Sequence, residues 1–193
     1  MIHQKSNRLE SFSDGVLAIA ITLLAFELKV PVLKSFSAVN ELKEILPLLP
    51  SVFTFVLSFL TIAIFWVNHH QMTEHIEGLN RRIVWMNIIF LMFQSLIPFA
   101  TRAIAENPYH SLSVATYSFV LFCGSLSFSA THLLIHQKIN KELRFTSKLI
   151  QRSLVGPIVY MCAMIASFYF IPIAYSLLLI PPFFYFLPKH TQS

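Results

Sequence analysis

Hydrophobic positions gather into six runs separated by short polar stretches. About 20 apolar residues cross a hydrocarbon core of about 30 Å. On that measure the runs predict six helical spans, roughly Phe12 to Val30, Ile45 to Val67, Ile83 to Ile104, Leu112 to Ile135, Leu154 to Phe170 and Ile173 to Leu187. Pro172 separates the last two tightly and Pro181-Pro182 interrupts the sixth, so one long kinked segment is the alternative there. The first run does not read as a secretory signal, because Glu10 and Asp14 stand among its charges and no small-residue cleavage site follows. The expectation is an all-α, polytopic membrane protein with six transmembrane helices, residues 1–193 forming a single domain.

Composition agrees with that class: 55% of residues are hydrophobic and 12% charged, about half the charge of an ordinary soluble domain. The formal net charge of +5 does not point to nucleic acid, since the basic residues lie in short segments between apolar runs and form no aromatic-interleaved stripe. Membrane topology explains them better. Lys5, Arg8, Arg81, Arg82, Lys138, Lys141, Arg144, Lys148, Arg152 and Lys189 fall on one side of a six-span arrangement, and Lys29, Lys34, Lys43 and Arg102 on the other. Basic loops stay in the cytoplasm, so both termini are expected there. Cys123 and Cys162 sit in apolar runs without metal-ligand or disulfide-framework spacing.

The first span carries the chemistry. Asp14 lies one turn inside it, and a carboxylate in a membrane helix is costly enough to require a partner. On a helical wheel Arg8, Phe12, Gly15, Ile19, Thr22, Leu23 and Phe26 share one stripe, whereas Asp14 lies about 140° round from Ile19. The stripe suits lipid contact or core packing. The sharper reading is a pore in which Ile19, Leu23 and Phe26 form a hydrophobic constriction beside a ring of Thr22 hydroxyls, and the wheel alone does not choose.

A partner for Asp14 is available where the second span ends in Phe65-Trp66-Val67-Asn68-His69-His70. Antiparallel neighbours would bring Arg8, Ser13, Asp14, Trp66, Asn68 and His69 into one polar cluster. The alternative is that Trp66 and the histidines only mark the membrane interface. His69, His70, His75, Glu74 and Glu77 do not share a helix face in a metal-ligand pattern, and no HExxH is present. His132 and His136 share a face but have no third ligand, so an interfacial or pH-sensitive pair is expected. There is no nucleophile elbow or phosphate loop, and no run of Arg or Lys at every third position that would form a voltage sensor.

Arg8-x-x-x-Phe12-Ser13-Asp14-Gly15, followed by Ala18-Ile19-Ala20-Ile21-Thr22-Leu23-Leu24, resembles the signature of the transmembrane protein 175 family, the endolysosomal potassium channel and its prokaryotic homologues. Trp66 and His69 resemble the tryptophan-x-x-histidine at the end of that family's second helix. Asn87, Pro98 and Phe99 sit where its third helix carries an asparagine and a proline-aromatic pair.

The resemblance implies an all-helical homotetramer of single-repeat chains in a prokaryotic plasma membrane, with first helices lining a central pore and potassium ions as the permeant species. It implies neither a cofactor nor a carbonyl filter, and no TVGYG-like segment is present. It places Ile19 at the gate and Thr22 in the hydroxyl layer, with Leu23 on the same face. Phe26 departs from the aliphatic residue usual at its level. Arg8, Phe12, Ser13, Asp14, Trp66 and His69 would support the pore helix. The expected partners are other copies of the chain and the lipid bilayer. Two other classes compete with this leak-like channel: a membrane enzyme using Asp14, His69 and His70, and a proton-coupled cation transporter.

Overall fold

The computed structural model describes the backbone of residues 2–29, 31–34, 36–73, 80–139 and 147–186, and side chains within 8–29, 31–34, 36–73, 80–138 and 153–184. Each apolar run folds as a helix. They are α1 (Ile2–Leu24), α3 (Leu49–Thr73), α4 (Arg81–Glu106), α5 (Ser111–Ile139), α6 (Ser147–Ala166) and α7 (Ile171–Phe186). A short helix, α2 (Ala38–Ile45), lies in the connection before α3 and has no buried residue. The apolar pattern does not single it out, because eight residues are too few to show a period.

Local chemistry sets several boundaries. Pro47 and Pro50 stand at the start of the second run, where first-turn N–H groups have no intrahelical acceptor and a missing donor costs little, and α3 begins through one 3-10 turn at Leu46–Leu48. Asn80 caps α4, its side chain accepting from the Arg82 N–H at 3.3 Å. α6 and α7 are separate helices joined by a tight turn over residues 167–170, in which the Phe170 N–H bonds the Ala166 carbonyl at 2.8 Å. The single kinked segment is therefore not what forms.

Among the described residues four segments are long and apolar enough to cross a membrane: Arg8–Glu27, Ala38–Thr73, Arg81–Glu106 and Ser111–Lys138. The fifth and sixth expected spans appear as shorter apolar helices over Ser153–Ala166 and Ile171–Phe184. At 1.5 Å per residue, α7 measures about 24 Å.

α4 is the centre of the arrangement, packing against α1, α3 and α5. α5 continues to α6, and α6 to α7, which returns against α3. Apolar burial explains the layout. Leu17, Ala20 and Leu24, on one stripe of α1, join Leu57, Ile62 and Phe65 of α3 and Phe90, Leu91, Ile97 and Ile104 of α4 in one core. Phe65, Phe90 and Phe128 meet edge-on or tilted, with centroids 5.4 to 5.6 Å apart.

Close approach of α5 and α6 comes from small residues, as membrane helices lacking a hydrophobic drive between them require. Buried Ser118, Ser127, Ser129 and Thr131 return their hydroxyls to carbonyls four residues back, leaving little to protrude. A Cβ at Gly156 would stand 2.5 Å from the Ser125 Oγ. That oxygen can rotate away from a methyl group but not from a longer side chain. Gly156→Leu is accordingly expected to cost about 1–3 kcal/mol by overpacking, and Gly156→Ala much less. Thermal unfolding in detergent checks the order, and equal midpoints for the two variants would contradict this packing.

Candidate functional site

The two sides of α1 have opposite surroundings. Ser13, Leu17, Ala20 and Leu24 are fully buried against α3 and α4, whereas Ile19 is 60%, Leu23 44% and Phe26 79% exposed. Phe12, Gly15 and Thr22 lie on the same open edge. The Thr22 hydroxyl donates to the Ile19 carbonyl at 2.9 Å, which fixes its proton and leaves its oxygen lone pairs on the open side. A Cβ on Gly15 would meet nothing within 4 Å.

Polar contacts hold the N-terminal half of this helix in two tiers. In the buried tier, Ser13 donates to the Leu9 carbonyl at 2.8 Å and accepts from Asn87 Nδ2 at 2.9 Å. Asn87 Oδ1 faces His69 Nε2 at 2.7 Å. A carbonyl oxygen only accepts, so His69 is the donor through Nε2–H. The imidazole stacks on Phe90 with rings 5.7 Å apart and 9° from parallel. Ser13, His69 and Asn87 are all fully buried, so one relay joins α1, α4 and α3 in an apolar setting.

The second tier is nearer the surface. Asp14 Oδ1 accepts from the Trp66 indole N–H at 2.9 Å, and Glu10 pairs with His70 Nδ1 at 2.9 Å. Trp66 and His70 stack, one turn apart on α3. The carboxylate in the first helix thus has an indole partner, as antiparallel neighbours allow.

Other expected members stand apart. Asn68 donates to the Ile64 carbonyl of its own helix at 2.7 Å and does not enter either tier. Arg8 is exposed and makes no hydrogen bond or ion pair with any described residue. Phe12 is on the open edge of α1. The polar cluster expected as one group is therefore two, and Asn87 is the hub of the buried one. Spacing alone could not find Asn87; the family resemblance placed it on the third predicted span without giving it a role. Glu10 was visible only as a charge.

At the other end of α1 is a group that sequence reasoning missed. Glu106 Oε1 accepts from Lys29 Nζ and, at 3.1 Å, from Arg102 Nε, which also lies 3.9 Å from Glu27 Oε2. Deeper in the bundle Ser58, Thr101 and Tyr117 share hydrogen bonds of 2.7 and 2.9 Å. His132 bonds Ser153 at 3.1 Å, giving it a structural neighbour on α6. No three His, Cys, Asp or Glu side chains converge as a metal site among the described residues, and Glu74, His75 and Glu77 lie outside them.

A helical bundle with several membrane-length spans and a first helix polar on one side and open on another defines a multi-pass membrane protein. Residues 8–98 match the model of the family described as endosomal/lysosomal potassium channel TMEM175. A curated potassium channel of Chamaesiphon minutus is 31% identical over 175 residues, 85% of each chain. One of a Chryseobacterium species is 37% identical over 122 residues, 63% of this chain and 60% of that one. The crystal structure of a lysosomal potassium-selective channel TMEM175 homolog from Chamaesiphon minutus superposes with a TM-score of 0.82 at 27% identity, covering 94% of this chain and 96% of that one. The human relative, of which this chain spans 28%, bears the name endosomal/lysosomal proton channel TMEM175. The chain belongs to the TMEM175 family, a family of channels and not of enzymes.

The buried relay predicts unequal effects for two asparagines. Asn87→Ala leaves Ser13 and His69 without their shared partner and is expected to cost about 1–3 kcal/mol for each buried group orphaned. Asn68→Ala removes only a bond within one helix and should stay within about 0.5 kcal/mol. Thermal midpoints in detergent measure both; an Asn68 effect as large as that of Asn87 would refute the assignment of the hub.

Proposed function

We propose that the chain is a potassium-selective, leak-like channel in which α1 helices of four copies surround a central pore. The observation that carries this reading is the open edge of α1. Ile19, Thr22, Leu23 and Phe26 lie free on the side away from the protomer core, while both ends of the helix are tied to α3 and α4. Ser13, Asp14, Trp66 and His69 support this helix, His69 through Asn87, whereas Arg8, Phe12 and Asn68 make no bond between helices among the described residues.

Ile19 is the principal constriction. A ring of branched apolar side chains excludes bulk water, and an ion crossing it must shed part of its hydration shell. Sodium, smaller and more strongly hydrated, pays more for that than potassium. The Thr22 oxygens next to the ring offer replacement ligands, and Leu23 and Phe26 extend the apolar wall. Potassium is the permeant ion and no cofactor takes part. The Lys and Arg distribution supports cytoplasmic termini, and the bacterial relatives favour a prokaryotic plasma membrane.

Bi-ionic recording from the reconstituted protein tests this. The wild type should carry potassium in preference to sodium. Ile19→Asn, which wets the ring, should raise conductance by about tenfold, equivalent to about 1.4 kcal/mol of barrier, and should lower the preference. Unchanged conductance and selectivity would remove Ile19 from the pathway. A wild type that passes only protons would overturn potassium as the permeant ion.

A further inference from the structure

The buried stripe of α1 ends at Leu24. Beyond it the helix tightens into a 3-10 turn, Ala25–Glu27, with no buried residue, and the chain turns extended at Leu28. The turn that carries Phe26 touches α3 and α4 without burying a side chain, so packing restrains it only weakly. Charge adds to that restraint: Glu27 and Lys29, one and three residues after Phe26, reach the last turn of α4, where Arg102 and Glu106 lie four residues apart on one face. Acid and base alternate in the order Glu27, Arg102, Glu106, Lys29, so the ladder closes from the 3-10 turn to α4 and back to the chain beyond it.

We propose that Arg102 and Glu106 are positioning residues that, through Glu27 and Lys29, clasp the C-terminal end of α1 and set the placement of the Phe26 ring. The inference rests on α1 as the pore helix. The four groups carry two positive and two negative charges, so the ladder has no net charge with which to concentrate cations. Its effect is mechanical. A single exposed pair contributes little, but a ladder that shares the Glu106 carboxylate restrains two backbone segments at once.

Arg102→Gln and Glu106→Gln separate this from a surface-potential effect. Removing Arg102 leaves the ladder negative and removing Glu106 leaves it positive. A local potential would therefore shift potassium conductance in opposite directions in the two variants. Loss of the clasp shifts conductance and potassium-over-sodium preference in the same direction in both, by roughly two- to fivefold. Arg102→Lys, which keeps the charge, should retain most of the wild-type behaviour. Raising ionic strength to about 1 M with an impermeant salt, which shortens the screening length to about 3 Å, should move the wild type toward the variants and move Arg102→Gln, which keeps only the Lys29–Glu106 pair, less.

Opposite shifts, no shift in either variant, or a wild type indifferent to impermeant salt would each overturn the clasp while leaving the channel in place. A wild type that conducts no potassium at all would overturn the channel reading itself. The salt measurement needs no variant, so a failure of either substitution to fold does not decide the matter.

Discussion

The relay from Ser13 through Asn87 to His69 is the constraint on which the rest of the structure depends. Three polar side chains, each fully buried, bond one another across three helices, with His69 Nδ1 left without a hydrogen-bond partner among the described residues. In an apolar medium the alternative for each is an unpaired group, which is far costlier than the bond is favourable. Such a relay fixes rotation as well as position. Turning α1 by one residue, about 100°, would carry Ser13 out of reach of Asn87 and would also take Asp14 from Trp66. Apolar packing by Leu17, Ala20 and Leu24 alone would tolerate a smaller turn, because greasy contacts have no directional requirement.

α4 distributes that constraint along the length of α1. It supplies Asn87 near its start and Arg102 and Glu106 near its end, so both restraints on α1 refer to one rod. Between them lies Pro98, which deprives the Gln94 carbonyl of its usual helical donor. The buried Gln94 side chain faces Gly124 of α5, the built Cβ of which would come within 3.1 Å of Nε2. A small residue opposite the irregular turn lets α5 pack there without forcing the rod apart. α4 is thus held from one side by a close neighbour while it holds α1 on the other.

Much of this was legible in the residues. The wheel separated the Ile19 edge from Asp14, and the buried and open sides of α1 follow that division. Span order made Trp66 a candidate partner for Asp14, because antiparallel neighbours joined by one connection bring those ends together. The rest needed coordinates, for physical reasons. Asn68 and His69 are adjacent in sequence but point 100° apart, and only packing decides that the imidazole enters the core while the amide folds back on its own helix. The Lys29–Glu106 pair joins residues 77 positions apart, and charges at span ends look alike whether paired or solvated. α2 is too short for its period to register.

On the proposed channel reading, the restraints on α1 account for its open edge. Acyl chains present no directional groups, so a helix that merely faces the bilayer gains nothing from having its rotation specified. Here the rotation is specified at both ends, by directional hydrogen bonds at Ser13 and Asp14 and by paired charges at Glu27 and Lys29. The Ser13 bond, with Asn87 and His69 behind it, also places polar groups in the bundle core, which apolar side chains could fill at no such cost. A requirement for fixed rotation arises when the exposed edge must meet copies of itself around an axis, since an error of one residue would exchange Ile19 for a side chain facing another way. Thr22 is compatible with that reading: its hydroxyl proton is committed to the Ile19 carbonyl, leaving acceptor oxygen on that edge.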